Sequence, residues 1–401
     1  MEIKKLNRSI GLKSNIFFVF NATTSRSLQD KYAKNNTPKS IFLILFVICC
    51  GLFQWSCDGD NNNLTNNNND STKITSNNTE LTIKSPKNLE SLTIGQEIIV
   101  ASEIPGDLKP DSFTVTLNGI LKTKDILSLN FKLKTDSAKA GNNRIVISAW
   151  VKGKQFINSI SIILRSNIIP QQYSYKIIKK YPHDQKSYTQ GLIYENGFIY
   201  EGTGQYGESM LIKYKLANNE LTQSYNLPQD VFGEGIVISK NHIYQLTWQS
   251  HVAYEYEKET FKLINKFDFG TEGWGITIYN DYLIMSDGSY TLYVLSPESF
   301  NEIKSIEVYD NVGPVGQLNE LELINGEIYA NVYQTDEIVI INPNNGCVTG
   351  KINLTGLLDK TKIKDHDVDV LNGIAWDEKG KRLFLTGKWW PEMYEVQIVK
   401  K

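Results

Sequence analysis

Two sets of five residues in the C-terminal half have the types and spacing to build one reactive pocket. The first set is Gln190, Glu234, Trp274, Asn319 and Asn372, at intervals of 44, 40, 45 and 53 residues. The second is Gly204, Trp248, Gly288 and Tyr333, each fourteen residues further on, with Lys388 sixteen residues past Asn372. A purely structural repeat favours one side chain at every matching position. These positions instead hold one carboxylate, one cation, three amides and three aromatic rings among small residues. Divergent side chains on a constant backbone are what a single asymmetric pocket needs. In the bland alternative the polar groups satisfy exposed strand starts and the aromatics plug a channel. A lactonase-like metal hydrolase would need several ligating carboxylates, and the sets hold only Glu234. No Ser-His-Asp order and no phosphate-cradling glycine motif stands out. His183 and His366 lack a second histidine at ligand spacing, His242 and His251 read as hairpin residues, and Asp287 and Asp336 read as turn residues making structural hydrogen bonds.

The elements that must position these residues repeat with them. Each first-set residue opens a short apolar run: TQGLIY, GEGIVI, GWGITI, LNELEL and LNGIAW. A second run follows each (FIYEGTG, IYQLTWQ, LIMSDGS, IYANVYQ, LFLTGKW), then a third (MLIKYKL, VAYEYE, TLYVLSP, EIVIINP, MYEVQIV). Four units add an outer run, LTQSYNL, FKLINKFDF, EIKSIEV and VTGKINL. Units of this length with four short strands predict a β-propeller. The fifth unit lacks an outer run, and YSYKIIKKYP ahead of the first unit can supply it, pairing the two ends of the domain and removing an exposed edge. The expectation is a five-bladed propeller over residues 173–401, with the first strand of each blade lining a central channel.

Residues 79–167 carry six or seven alternating runs without a helical period, separated by turn signals such as Asn118-Gly119 and Gly141-Asn142-Asn143. That pattern predicts an immunoglobulin-like β-sandwich, with a spacer or docking role. The whole chain is thus expected to be all-β. An aromatic content of 11% with 28 glycines fits many strands and turns.

The N-terminus reads as an address. A basic stretch to Lys39 precedes IFLILFVICCGLF, thirteen apolar or small residues and too few to span a bilayer as a helix. QWSC resembles a relaxed lipoprotein box with Cys57 as the acylated residue. It departs from the pattern at Gln54 and Trp55, which leaves Cys49 and Cys50 as secondary candidates and a plain signal peptide or uncleaved anchor as the alternative. Residues 1–57 are read as an export leader. Residues 58–78, almost devoid of apolar side chains, are read as a disordered Asn-rich tether. The expected location is the bacterial cell envelope, lipid-anchored, on the periplasmic side or the cell surface; Asp58 and Asp60 resemble surface-export signals. With 42 basic against 44 acidic residues, a nucleic-acid partner is not expected. Four cysteines, three of them crowded at the leader, do not make a disulfide framework.

The blocks YPHDQKSYTQGLIYENGFIYEGTGQYGESML, FGEGI, IYQLTW, EGWGITIYNDYLIMSDGS, LNELELINGEIYANVYQTD, DVLNGIAWD and LFLTGKWWPEMYEV resemble the glutamine cyclotransferase family of plants and bacteria. That family has a five-bladed propeller and is unrelated in fold to the zinc-dependent animal enzymes of the same activity. The resemblance implies cyclisation of an N-terminal glutamine to pyroglutamate with loss of ammonia, on peptides or proteins, without cofactor or metal. It implies Glu234 as proton shuttle, Lys388 and Asn319 as oxyanion or carbonyl donors, and Gln190 as orienter of the substrate amide. Trp248, Trp274, Phe232, Tyr188 and Tyr333 then wall the pocket. Tyr333 stands where the family commonly has Trp, and Tyr188 where Phe is usual, so the added hydroxyls are expected to bear on substrate preference. The rival reading is a non-catalytic surface propeller that binds peptide or glycan. A closed propeller leaves no unpaired edge, so a monomer is expected.

Overall fold

The structure, a computed structural model, describes residues 80–124, 128–363 and 366–401. The leader, Cys57 and the Asn-rich tether lie outside the described residues. The chain is all-β: among the described residues the only helical elements are short 3-10 turns at Pro105–Asp107 and Lys360–Lys362.

Residues 82–165 form two sheets. In one, Glu97–Glu103 lies between Thr82–Ser85 and Asn130–Lys134. In the other the order is Glu90–Thr93, Lys154–Arg165, Gly141–Val151, Ser112–Leu117 and Ile120–Lys124. Alternate residues of Ser112–Leu117 are buried, the period expected of a strand with one wet face. The apolar cluster between them contains Val100 and Leu133 from the first sheet and Phe113, Val115, Ile145, Ile147 and Leu164 from the second. It also contains Tyr309 and Cys347 from far along the chain. Backbone bonds Ala140 N–H to Asn345 O (2.8 Å) and Ser166 N–H to Asp310 O (3.2 Å) fasten the same contact.

The rest of the chain repeats one motif. Thr189–Glu195, Phe198–Thr203, Met210–Lys215 and Glu220–Asn226 form a four-stranded meander. Two further four-stranded sheets begin at Gly233–Ser239 and Ile276–Tyr279. An eight-stranded sheet follows, made of a meander beginning at Leu318–Ile324 and another beginning at Leu371–Asp377. Gln171–Pro182 joins these two: it pairs antiparallel with the C-terminal strand Glu392–Lys400 and, at its start, parallel with Val348–Asn353. The first strands of successive units lie side by side, and Thr189–Glu195 lies beside both Gly233–Ser239 and Leu371–Asp377.

The glycine after three of the first-set residues is a packing requirement. A Cβ at Gly191 would sit 2.4 Å from Ile236 N, one at Gly235 2.6 Å from Trp274 O, and one at Gly275 2.0 Å from Asn319 O. Neighbouring first strands approach too closely for any side chain there. In the fourth unit Glu320 takes this position. Its buried carboxylate accepts the Leu192 N–H at 3.3 Å and the Ile374 N–H at 2.9 Å, joining three units.

Candidate active site

The hairpin register carries the two sets to one end of these strands. The backbone N–H groups of Gly204, Trp248, Tyr333 and Lys388 donate to the carbonyls of Tyr188, Phe232, Gln317 and Val370, at 2.8, 3.0, 2.8 and 3.0 Å. Each acceptor stands two residues before a first-set residue. One face therefore gathers the first set, the residues two positions ahead of it, and the second set. Gly204 and Gly288 make room for the walls: a Cβ would fall 2.4 Å from the Phe232 ring in one case and 2.6 Å from the Trp274 ring in the other.

Gln190, Glu234, Asn319, Asn372 and Lys388 are all buried. Gln190 donates Nε2–H to Glu234 Oε1 at 2.9 Å. Asn372 donates from Nδ2 to Gln190 Oε1 at 3.2 Å and to the Thr189 carbonyl at 3.0 Å. Asn319 takes the Ser286 hydroxyl on its backbone carbonyl at 2.7 Å. Its Oδ1, and that of Asn372, is buried with no donor among the protein's own described groups.

The aromatics form two arcs. Phe232 meets Tyr188 edge-on at 6.0 Å, Trp248 at 5.6 Å and Tyr206 at 5.4 Å between ring centroids. Trp274 meets Tyr333 edge-on at 5.4 Å. Lys388 Nζ lies 4.5 Å from the centre of the Tyr188 ring and 5.1 Å from that of Tyr333, so the cation joins residues of the first and fourth units.

Burial pushes the Glu234 carboxyl well above the usual carboxylate range; the Glu272 charge acts in the same direction and Lys388 against it. Burial lowers Lys388, opposed by the charges of Glu234 and Asp369. The Tyr188 hydroxyl is raised chiefly by burial and stays protonated, donating to Asp369 Oδ2 at 3.0 Å. The site thus sets one buried acid that readily holds a proton, and a buried cation, among aromatic side chains. Such a place can move a proton and stabilise a developing negative charge.

Two carboxylates here escaped the sequence reading. Glu272 Oε2 accepts the indole N–H groups of both Trp248 (2.7 Å) and Trp274 (3.0 Å). It stands two residues before Trp274, the offset at which Tyr188 and Phe232 precede Gln190 and Glu234, so the spacing did hold a signal. Asp369 precedes Asn372 by three and follows no such pattern. Gln190, expected to orient a substrate amide, spends an N–H on Glu234. Away from the pocket, His183 is buried against Glu201 at 3.2 Å. His242 faces Glu255, and Asp287 accepts the Tyr293 hydroxyl at 2.9 Å. Among the described residues no group of three His, Cys, Asp or Glu is placed to hold a metal ion.

A family model described as glutamine cyclotransferase matches residues 154–398, more than half of the chain. A glutaminyl-peptide cyclotransferase of Arabidopsis thaliana is 35% identical over 226 residues, which span 56% of this chain and 71% of the relative. The crystal structure of the Myxococcus xanthus glutaminyl cyclase is similar with a TM-score of 0.55 and 31% identity, over 58% of this chain and 99% of that one.

Proposed function

This chain belongs to the glutamine cyclotransferase family and carries out its reaction, the conversion of an N-terminal glutamine to pyroglutamate with release of ammonia, and we propose that the ring closes in the pocket around Glu234. It is an ammonia-releasing acyltransferase whose substrates are peptides that begin with glutamine. The neutral α-amine attacks the side-chain amide carbon. A carbon–nitrogen bond forms to the α-nitrogen, the bond to the amide nitrogen breaks, and one proton passes from the first nitrogen to the second. Holding amine and carbonyl together is an orientation problem, met by the walls Tyr188, Phe232, Trp248, Trp274 and Tyr333, which also exclude the water that would hydrolyse the amide. Glu234 takes the proton from the amine and delivers it to the leaving nitrogen. Lys388 and the Asn319 amide supply donors to the oxyanion. The buried Oδ1 atom of Asn319 suits an N–H group, which the substrate's amine and amide both carry.

The observation that carries this reading is the enclosed Glu234 carboxyl, raised by burial and hydrogen-bonded by Gln190 within the aromatic arcs. We read the repeating units as a five-bladed propeller, supported by five first strands in cyclic contact, and residues 79–167 as an immunoglobulin-like sandwich, supported by two sheets sharing one core. The proposal extends to export, acylation at Cys57, a tether over residues 58–78 and a monomeric enzyme, on the motifs described above. The test is to incubate the full chain with a Gln-initiated peptide. Ammonia and a mass loss of one ammonia are expected. Binding of the peptide without either product would favour a non-catalytic propeller.

A further inference from the structure

The Glu234 carboxyl is gripped by a short chain of amides whose direction the backbone fixes. At its far end stands the carbonyl of Thr189, which can only accept. Asn372 Nδ2 lies 3.0 Å from it, so the N–H end of that amide faces Thr189. The same nitrogen lies 3.2 Å from the Gln190 side chain, and a donor there demands an acceptor. Gln190 therefore turns its oxygen to Asn372 and its nitrogen to Glu234 Oε1, 2.9 Å away. Thr189, Gln190, Glu234 and Asn372 are all buried. The anchor is itself held: the Thr189 hydroxyl donates to Glu201 at 2.7 Å, and Glu201 takes the Tyr214 hydroxyl at 3.0 Å.

We propose that Asn372 is a positioning residue for the ring closure: acting through Gln190, it keeps Glu234 Oε1 as a hydrogen-bond acceptor, so that Glu234 carries and passes its proton on Oε2. This rests on the reading of Glu234 as the proton shuttle. Were Gln190 turned about, its oxygen would face Glu234 and draw the acid's proton into an internal hydrogen bond, away from the leaving nitrogen. Asn372 forbids that turn, because two buried N–H groups would then face each other without an acceptor. The chain of amides runs around the first set, from the fifth unit through the first to the second. That accounts for an amide at 190 and at 372 where a structural repeat needs none.

The test compares the full chain with Asn372→Asp, Gln190→Met and Glu234→Gln, by kcat and KM across pH on a Gln-initiated peptide and by thermal melting. Asn372→Asp puts an acceptor against Gln190 Oε1 and so invites the turn. Gln190→Met keeps the length and deletes the donor. Either change removes an N–H that favours the carboxylate, so the ionisation of Glu234 in the kcat profile moves up by about one pH unit. kcat falls at least about tenfold, and KM stays within about threefold. The other groups that face Glu234 are Lys388, Glu272 and the hydroxyls of Tyr188 and Tyr206, all unchanged in both variants; Asn372→Asp adds a carboxyl of its own, so its shift counts for the proposal only when the uncharged Gln190→Met shows it too. A merely structural Asn372 would lower the melting temperature and depress kcat alike at every pH. An unmoved profile, or kcat within about twofold of the parent, overturns the proposal. If Asn372→Asp does not fold, Gln190→Met decides by the same criteria. An active Glu234→Gln overturns the shuttle and the proposal with it. An inactive Glu234→Gln beside unmoved profiles overturns the proposal alone.

Discussion

Trp248 donates its indole N–H to Glu272 at 2.7 Å, and the same carboxylate oxygen takes the indole N–H of Trp274 at 3.0 Å. One acid thus sets the orientation of two walls that come from different units, while its charge helps hold Glu234 protonated. Glu272→Gln is expected to loosen both rings and raise KM severalfold, as two charge-assisted hydrogen bonds weaken by about 1 kcal/mol or more. With the neighbouring negative charge gone, the ionisation of Glu234 moves to lower pH. Steady-state kinetics across pH on one Gln-peptide checks both effects; an unchanged KM and profile would deny Glu272 its place.

Lys388 lies against the Tyr188 and Tyr333 rings and pulls the Glu234 pKa down against the effect of burial. Lys388→Met keeps the stem and removes the charge. Loss of an oxyanion donor predicts a fall of about 10²–10³ in kcat. The ionisation of Glu234 moves in the opposite sense from that in Glu272→Gln, to higher pH. Measuring the two variants side by side tests the electrostatics of the site, because a general loss of folding would not shift the profiles in opposite directions.

Glu322 accepts the Trp376 N–H at 3.0 Å, and burial pushes its carboxyl up to about 8 from 4.5. A pKa raised on folding gives stability that is complete below about pH 4.5 and is lost as pH rises through about 8. Glu322→Gln keeps an acceptor that cannot ionise. Between about pH 5 and about pH 9 the parent should lose on the order of 4 kcal/mol relative to the variant, several degrees in Tm. Equal pH slopes in the two proteins would contradict the assignment.

Cys347 is buried in the same apolar cluster as Ile145 and Leu164, beside Tyr309. Its thiol is raised by burial, with Ser166 acting the other way. In the native full chain it should resist a thiol-exchange reagent at neutral pH. In a chain beginning at residue 170 that cover is gone, so Cys347 should label readily and the protein melt lower. Labelling is read on the peptide that contains Cys347. Equal labelling rates would mean that residues 80–167 do not cover it.

The repeat was legible because first strands that nearly touch exclude a Cβ, which wrote Gly191, Gly235 and Gly275 into the sequence at regular intervals. Gln190, Glu234 and Trp274 were legible for the same reason, since each directly precedes one of those glycines. What hid were the groups set by loops and by partners. Asp369 reaches Tyr188 from a connection of irregular length, and Glu272, although it stands at the offset of Tyr188 and Phe232, takes its role from the two indoles it binds. Glu320 occupies a glycine position, and only its partners Leu192 and Ile374 reveal a cross-unit acceptor. The extra hydroxyl of Tyr188, expected to bear on substrate preference, donates to Asp369, a partner that no spacing announced. The seat of Tyr309 and Cys347 among N-terminal residues left no periodic trace.

In the proposed ring closure Glu234 moves the proton. That role is tested most directly by single-turnover ammonia release from a Gln-initiated peptide by Glu234→Gln, which keeps the shape and the contact with Gln190 but cannot shuttle a proton. The peptide is expected to bind still with its parent affinity while the rate of ammonia release falls by about 10²–10⁴. Ammonia release at the parent rate would contradict it.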